Sequence, residues 1–471
     1  MMMRSPRINR RLTALALAAL LLGNGSLAPA QQPAATPPSS VEVAAGAPPP
    51  AAPSTPAAPP EVVALNALVE EALARNPEIR AMARQFDMMR ARVPQAKALP
   101  DPMLELGNIS SLIPIPPLKG RSGDTSSERM VGVSQELPFP GKRGLRGRVA
   151  EAEAGAEQWN YEQTRFNVVA EVKDAYYEMA FVDKAIETIT KNRKLLEQFA
   201  KIAEARYAVG KGIQQDVLKA QVEISKLVDQ TTVLEQRRLT AEARINSLLY
   251  RELETPVGRT EELKPREFDY TLAGLNERAV AGNPSLKAQR RQIERAQYSV
   301  QLAKKDFYPD FSVGVAYTNR PGMPEMYSVR VGVSLPVYAR QKQRPALEEA
   351  AAGESVERRR LENSTAVLFF RIKDRYLAAT TAQRLIKLYG TTIIPQSSLS
   401  LESAIAGYEV GRVDFLTLLD NLTTLLGYEL NYYEQISMLE RAVAGLEPLV
   451  GADLSAGDST GGASGEKGIE K

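Results

Sequence analysis

Neither histidine nor cysteine occurs anywhere in the 471 residues. Their absence excludes zinc fingers, cysteine-ligated iron–sulfur clusters, disulfide frameworks, Ser-His-Asp triads and histidine-ligated metal centres. It equally excludes a lipid attached through an N-terminal cysteine. Charge of one sign is also lacking, with 59 Lys plus Arg against 56 Asp plus Glu and a formal charge of +3. Four of those cations, Arg4, Arg7, Arg10 and Arg11, lie in a segment read below as removable, and without them the charge is −1. A chain this close to neutral offers no electrostatic case for a nucleic-acid partner. What is present, 44% apolar and 24% charged residues, suits a folded protein.

The N-terminus carries a basic stretch ending at Arg11, an apolar run from Leu12 to Leu22 and the small-x-small site Ala28-Pro29-Ala30. Residues 1–30 therefore read as a secretory signal peptide, since the apolar run falls well short of the roughly 20 residues a spanning helix needs. Residues 31–60 hold ten Pro and nine Ala, a composition of extended, solvated linker. Residues 451–471, rich in Gly, Ser, Asp and Glu, read as a disordered tail.

The body between them is duplicated. Ala72-Leu73-Ala74-Arg75-Asn76-Pro77 returns as Ala279-Val280-Ala281-Gly282-Asn283-Pro284, Val131-Gly132-Val133-Ser134 as Val331-Gly332-Val333-Ser334, and Tyr207-Ala208-Val209-Gly210 as Tyr408-Glu409-Val410-Gly411. Three ordered echoes at nearly one spacing predict two copies of one unit, 62–260 and 270–450.

Each copy has the same order. A helix starting at Asn-Pro stops at Pro100-Asp101-Pro102 in the first copy and at Tyr308-Pro309-Asp310 in the second. Strand patterns follow. Phe311, Val313, Val315 and Tyr317 alternate with small or polar residues, as do Val329, Val331, Val333 and Leu335. Less regular candidates in the first copy run from Met103 to Ser110 and from Met130 to Leu137, each pair joined by a loop rich in turn formers. Four strands of this length suit a tilted membrane β-strand, but on alternation alone a soluble hairpin with one buried face fits equally.

Long helices come next. Residues 156–209 lack Gly and Pro, enough for a helix of about 80 Å. Residues 213–255, 354–389 and 412–426 read likewise as helix, with a kink or break expected at Pro395. Ile224, Leu227, Thr231, Leu234, Arg238, Ala241, Ile245 and Leu248 form a heptad seam, as do Leu418, Leu422, Leu425, Glu429, Tyr432, Ile436, Leu439, Val443 and Leu446. A second seam, Leu416, Leu419, Thr423, Leu426, Leu430 and Tyr433, runs beside the latter, so one helix can pack a neighbour on each side, as a closed ring of helices requires.

This duplicated order, behind a signal peptide and with a Tyr-x-Val-Gly turn in each long hairpin, resembles the TolC family of outer-membrane efflux proteins. Pro100-Asp101-Pro102 and the run from Gln135 to Arg143 resemble the branch serving heavy-metal exporters of the resistance-nodulation-division type. The resemblance implies a mixed α and β, mainly α, homotrimer: twelve strands, four per chain, close an outer-membrane β-barrel in contact with lipid, and an α-helical barrel continues it into the periplasm. Physics agrees, since four strands leave two open edges that hydrocarbon does not tolerate. The function implied is a passive exit duct served by an inner-membrane resistance-nodulation-division pump and a periplasmic adaptor, with no enzyme activity and no cofactor. Heavy-metal cations are the expected cargo, with drugs or secreted polypeptides as the alternative.

Carried over residue by residue, the adaptor-docking tips fall on Tyr207, Val209 and Gly210 and on Tyr408, Val410 and Gly411. The glycines equally fit a plain structural role, permitting left-handed backbone in a tight turn. The resemblance places periplasmic gate carboxylates at Asp216 and Asp420, while Thr417 replaces a further aspartate and Asp414 departs from the pattern. Arg412 is a candidate latch to Asp216 across neighbouring tips. Solvated helix-start carboxylates are the plainer reading, especially for Asp414. Met82, Met88, Met89, Met323 and Met326 suit a soft metal in chemistry but core filling in general practice, and Tyr428, Tyr432 and Tyr433 read as interhelical packing. Two other classes were weighed. A periplasmic coiled-coil adaptor would not need two strand pairs, and an enzyme without His or Cys would need a paired carboxylate, Lys or Tyr constellation that the sequence does not display.

Overall fold

The computed structural model describes residues 62–109, 128–320 and 322–454. The signal peptide, the Pro/Ala linker, most of the tail and the first strand-pair loop lie outside the described residues.

Two copies of one element order are visible. The first runs β1 (Val62–Val63), α1 (Leu65–Arg75), α2 (Pro77–Lys97), β2 (Met103–Ile109), β3 (Glu128–Leu137), α3 (Lys142–Ala208) and α4 (Gln214–Leu249). After β4 (Arg259–Thr260) the second runs α5 (Leu272–Gly282), α6 (Pro284–Lys305), β5 (Asp310–Asn319), β6 (Met326–Ser334), α7 (Gln343–Leu388), α8 (Ile394–Glu409) and α9 (Phe415–Val450).

The Asn-Pro pairs show why the duplication persists. Asn76 caps α2, its Oδ1 accepting from the amides of Glu78 and Ile79 at 2.9 and 3.2 Å, while its Nδ2 donates to the Leu248 carbonyl at 2.9 Å. Asn283 does the same in the second copy, accepting from the Leu286 amide at 2.8 Å and donating to the carbonyls of Pro448 and Leu449. Each Asn thus satisfies orphan groups at the start of one helix and the end of another, and the following Pro lacks an amide that a first-turn position would leave unpaired.

Helix α3 begins earlier than its Gly- and Pro-free stretch suggests. It spans 67 residues, about 100 Å, and absorbs Gly144, Gly147 and Gly155. At Gly147 the Lys97 side chain of α2 lies close over the helix: a Cβ there would stand 2.5 Å from it and displace it. Helix α4 stops at Leu249, six residues short of the expected end, because Tyr250 takes left-handed backbone and Asn246 turns its side chain to the carbonyls of Leu253 and Thr255. At Pro395 the expected break is a π turn, Tyr389–Ile393, and helix resumes at once as α8. Proline provides no amide for a carbonyl four residues back, and widening the preceding turn absorbs the loss. At the C-terminus the expected tail starts late: Leu454 is buried, and its amide donates to Glu447 while its carbonyl accepts from Arg266.

The two helical hairpins lie side by side and share a core. Leu196, Phe199 and Ala203 of α3, Leu227 of α4, Tyr408 of α8 and Leu418 and Leu422 of α9 belong to one buried cluster, so the α4 seam and the first α9 seam face inward here, while the second α9 seam starts at the exposed Leu416. Nearer the strands, Lys173 of α3 and Glu447 of α9 form a buried ion pair at 2.6 Å, 7% and 3% exposed.

The four longer strands form one sheet in the order β2-β3-β5-β6, antiparallel throughout and open at β2 and β6, while the two-residue strands β1 and β4 pair parallel in a separate small sheet. Register places Leu106, Val131, Tyr317 and Tyr327 in one row, Leu104, Val133, Val315 and Val329 in the next, and Leu137, Phe311 and Val333 towards the helical end. Every one of these rows lies on one face. The opposite face carries Glu105, Gly132, Ala316 and Ser328 in one row and Ser134, Gly314 and Arg330 in another. Among the described residues no helix covers the apolar face: Leu106 is 74% exposed and Val329 75%. The buried face that a soluble hairpin requires is thus not supplied by the chain's own described residues.

Candidate functional site: the helical-hairpin tips

Both tips are built by the same backbone device. At the first, the Gly210 amide donates to the Tyr207 carbonyl at 3.0 Å and the Lys211 amide to Arg206 at 2.8 Å; at the second, Gly411 donates to Tyr408 at 3.1 Å and Arg412 to Gly407 at 2.8 Å. These are Schellman turns, with Gly210 and Gly411 at φ of +73° and +76°. A Cβ at either would meet nothing within 4 Å, so glycine is needed for conformation and not for space.

The side chains of the two tips diverge. Tyr207, Val209 and Val410 are exposed, Val209 and Val410 at 68% and 69%, while Tyr408 is only 6% exposed. Tyr408 packs edge-on against Phe415 at 5.8 Å, which makes it a core residue of its tip and leaves no face of it for docking. Exposed Ile213 and Leu218 extend the apolar surface of the first tip. Sequence reasoning missed both, because the position corresponding to Ile213 in the second copy is the polar Asp414, so the duplication carries no apolar signal there.

Arg206 was also missed. Its Nη2 donates to the carbonyls of Tyr408 and Glu409 at 2.7 and 2.9 Å, and its guanidinium carbon lies 4.2 Å from the Tyr408 ring centroid. An α3 side chain thus caps the C-terminal carbonyls of α8, where a cation is favoured by the helix dipole. Arg412, the candidate latch, makes no ion pair with Asp216 within the chain; its amide is committed to the turn and its side chain is exposed. The cation that crosses between tips is Arg206.

The carboxylates have separate roles. Asp414 is the N-cap of α9, accepting from the Thr417 amide at 2.8 Å, and the hydrogen bonds from Thr417 hold its carboxyl below the usual range. Asp216 is half-buried in the first turn of α4; burial and then the neighbouring charge of Asp414 push its carboxyl up. Asp420 is exposed one turn further along α9. Asp216 and Asp414 are thereby brought together at the tips.

Other candidates are not brought together. Met82, Met88 and Met89 lie on α2, and Met323 and Met326 lie at the far end of the β5–β6 hairpin. Among the described residues no group of three or more Asp or Glu is placed to hold a metal ion, and no helix is long and apolar enough to cross a membrane. Tyr432 and Tyr433 pack edge to face at 5.3 Å beside the second-copy core.

The family model described as outer membrane efflux protein matches residues 68–249 and 275–452, one segment in each copy. The cobalt-zinc-cadmium resistance protein CzcC of Cupriavidus metallidurans is 23% identical over 398 residues, 83% of this chain and 90% of that protein. The pyoverdine export outer membrane protein OpmQ of Pseudomonas putida is 22% identical over 402 residues, 81% of this chain and 84% of the other. Among solved structures, CusC superposes with a TM-score of 0.72 at 16% identity, over 82% of this chain and 92% of that one.

Proposed function

We propose, since the chain belongs to the outer membrane efflux protein family and is an outer-membrane channel, that it is the exit duct of a tripartite system expelling heavy-metal cations. In this reading three chains join β2 of one sheet to β6 of the next, closing twelve strands around a lumen lined by the small and polar face. The long helices of the three chains form the periplasmic barrel. An inner-membrane pump energises transport and a periplasmic adaptor docks on the exposed residues of the tips, so the duct itself performs no catalytic step.

The observation that carries the duct is the sheet: two open edges and a largely exposed apolar face are stabilised when edges pair and the face meets lipid. The similarity to a cobalt-zinc-cadmium resistance protein supports the cargo. The near-equal similarity to a pyoverdine exporter favours a second reading, in which the cargo is a small organic siderophore.

Tolerance of zinc, cobalt and cadmium salts in a deletion strain separates the two. Loss of metal tolerance, restored by the intact gene and not by one carrying bulky residues at Gly210 and Gly411, is the result expected for a metal duct that docks through its tips. Unchanged metal tolerance with siderophore retained in the cell would overturn the metal cargo and leave the duct.

A further inference from the structure

The helical end of the sheet carries a feature that neither the tips nor the lumen explains. Four segments meet there, because β2 begins at Met103, Leu137 is in register with Phe311, and Asp310 with Ser334. Those segments, 97–102, 138–148, 304–310 and 335–344, contain ten basic residues against three acidic ones. Two of the three acids are already engaged: buried Lys142 holds Asp310 at 2.9 Å and Asp306 at 3.3 Å. Lys304, Lys305, Arg340 and Lys342 have no carboxylate partner among the described residues.

Aromatic rings accompany the charge. Phe139 and Tyr308 stack at 4.6 Å, and the Lys305 ammonium lies 5.2 Å from both ring centroids. Leu335 and Tyr338, past the end of β6, are 66% and 71% exposed. Phe139 and Leu335 continue the two-residue step of the apolar face beyond the strands, so rings and cations stand where that face ends. Amphipathic rings with unpaired lysines and arginines at such a boundary fit a headgroup layer of negative charge.

We infer that this rim is a binding surface for anionic phospholipid headgroups of the periplasm-facing leaflet, with Lys305, Arg340 and Lys342 supplying the positive charge beside Phe139, Tyr308 and Tyr338. The inference rests on the membrane-barrel reading above. Standing where the apolar face ends, this belt fixes the depth of the barrel in the bilayer.

The test is native mass spectrometry of the detergent-extracted full-length protein, mixed with equal amounts of phosphatidylglycerol and phosphatidylethanolamine. The wild type should retain phosphatidylglycerol with at least about tenfold preference, and the triple variant Lys305→Gln, Arg340→Gln, Lys342→Gln should lose it while still fractionating with outer membranes. The charge-preserving variant Lys305→Arg, Arg340→Lys, Lys342→Arg should keep the preference. Equal retention of both lipids by the wild type, or an unchanged preference in the glutamine variant, overturns the inference and leaves the barrel standing. A wild type absent from outer membranes overturns both together.

Discussion

Arg206 and Tyr408 bind the two hairpin tips of one chain to each other: the guanidinium stacks on the tyrosine ring at 4.2 Å and donates to the tyrosine carbonyl at 2.7 Å. The link is one-way. The position corresponding to Arg206 in the second copy is Gly407, where a Cβ would stand 2.5 Å from the Val413 side chain. The first tip therefore clasps the second with a side chain that the second does not carry at the matching position.

Removing the clasp should loosen the tips without unfolding them. Arg206→Ala forfeits charge-assisted hydrogen bonds of about 1.5–3 kcal/mol, and in planar bilayers its open probability should rise several-fold over wild type. Unchanged gating in this variant would mean that the clasp has no part in holding the tips.

The buried pair Lys173–Glu447 should make stability depend on pH. Burial pushes the Glu447 carboxyl up to about 7 from 4.5, the Lys173 ammonium offsetting only part of that cost. Between these values the folded chain holds a proton that the unfolded chain has released. This contribution is full below about 4.5 and is lost as pH rises through about 7, on the order of 3 kcal/mol across the window. Thermal unfolding at pH 5.5 and pH 8 should show a larger gain on acidification in wild type than in Glu447→Gln, and identical pH dependence in the two would refute the assignment.

Asn283→Ala should destabilise the second copy by about 2 kcal/mol, since it removes an N-cap and leaves α9 carbonyls without their donor. Asn76→Ala should do the same in the first. Unfolding midpoints measured by circular dichroism would check both, and a change limited to one of them would show that the duplicated cap is not equivalent in the two copies.

The two sheet faces make opposite predictions. Val329→Lys puts a charge on the face proposed to meet lipid and should cost about 2–4 kcal/mol at mid-membrane depth, seen as reduced heat-resistant protein in outer membranes. Ser328→Lys, one residue away on the polar face, should assemble normally and alter single-channel selectivity towards anions. Equal tolerance at both positions would contradict the assignment of faces.

Much of this architecture was legible in the sequence because it rests on periodicity. Alternation at Phe311, Val313 and Val315 located a strand, and heptad steps through Leu418, Leu422 and Leu425 located a buried seam, since both periods follow from backbone geometry alone. Asn76 and Asn283 were legible as helix starts, but not as ties to the ends of α4 and α9, contacts that are distant in sequence. The extension of α3 through Gly144, Gly147 and Gly155 was hidden because local propensity opposes helix at glycine, while the packing of this stretch against α2 and α6 is distant in sequence. Arg206 was hidden among the many basic residues of the helices, its role set by the second tip lying beside the first. The burial of Tyr408 against the exposure of Tyr207 was equally unreadable, because the two copies share the motif and differ in what surrounds it.

The central claim is that neighbouring chains close the sheet, and the absence of native cysteine allows it to be tested directly. Leu106→Cys on edge strand β2 would be combined in turn with Val329→Cys, Val331→Cys and Val333→Cys on edge strand β6, and outer membranes would be oxidised before denaturing electrophoresis. The account predicts covalent species of two and three chains for at least one combination, reverting to single chains on reduction. Single chains alone in every combination, with the protein present in the outer membrane, would contradict it.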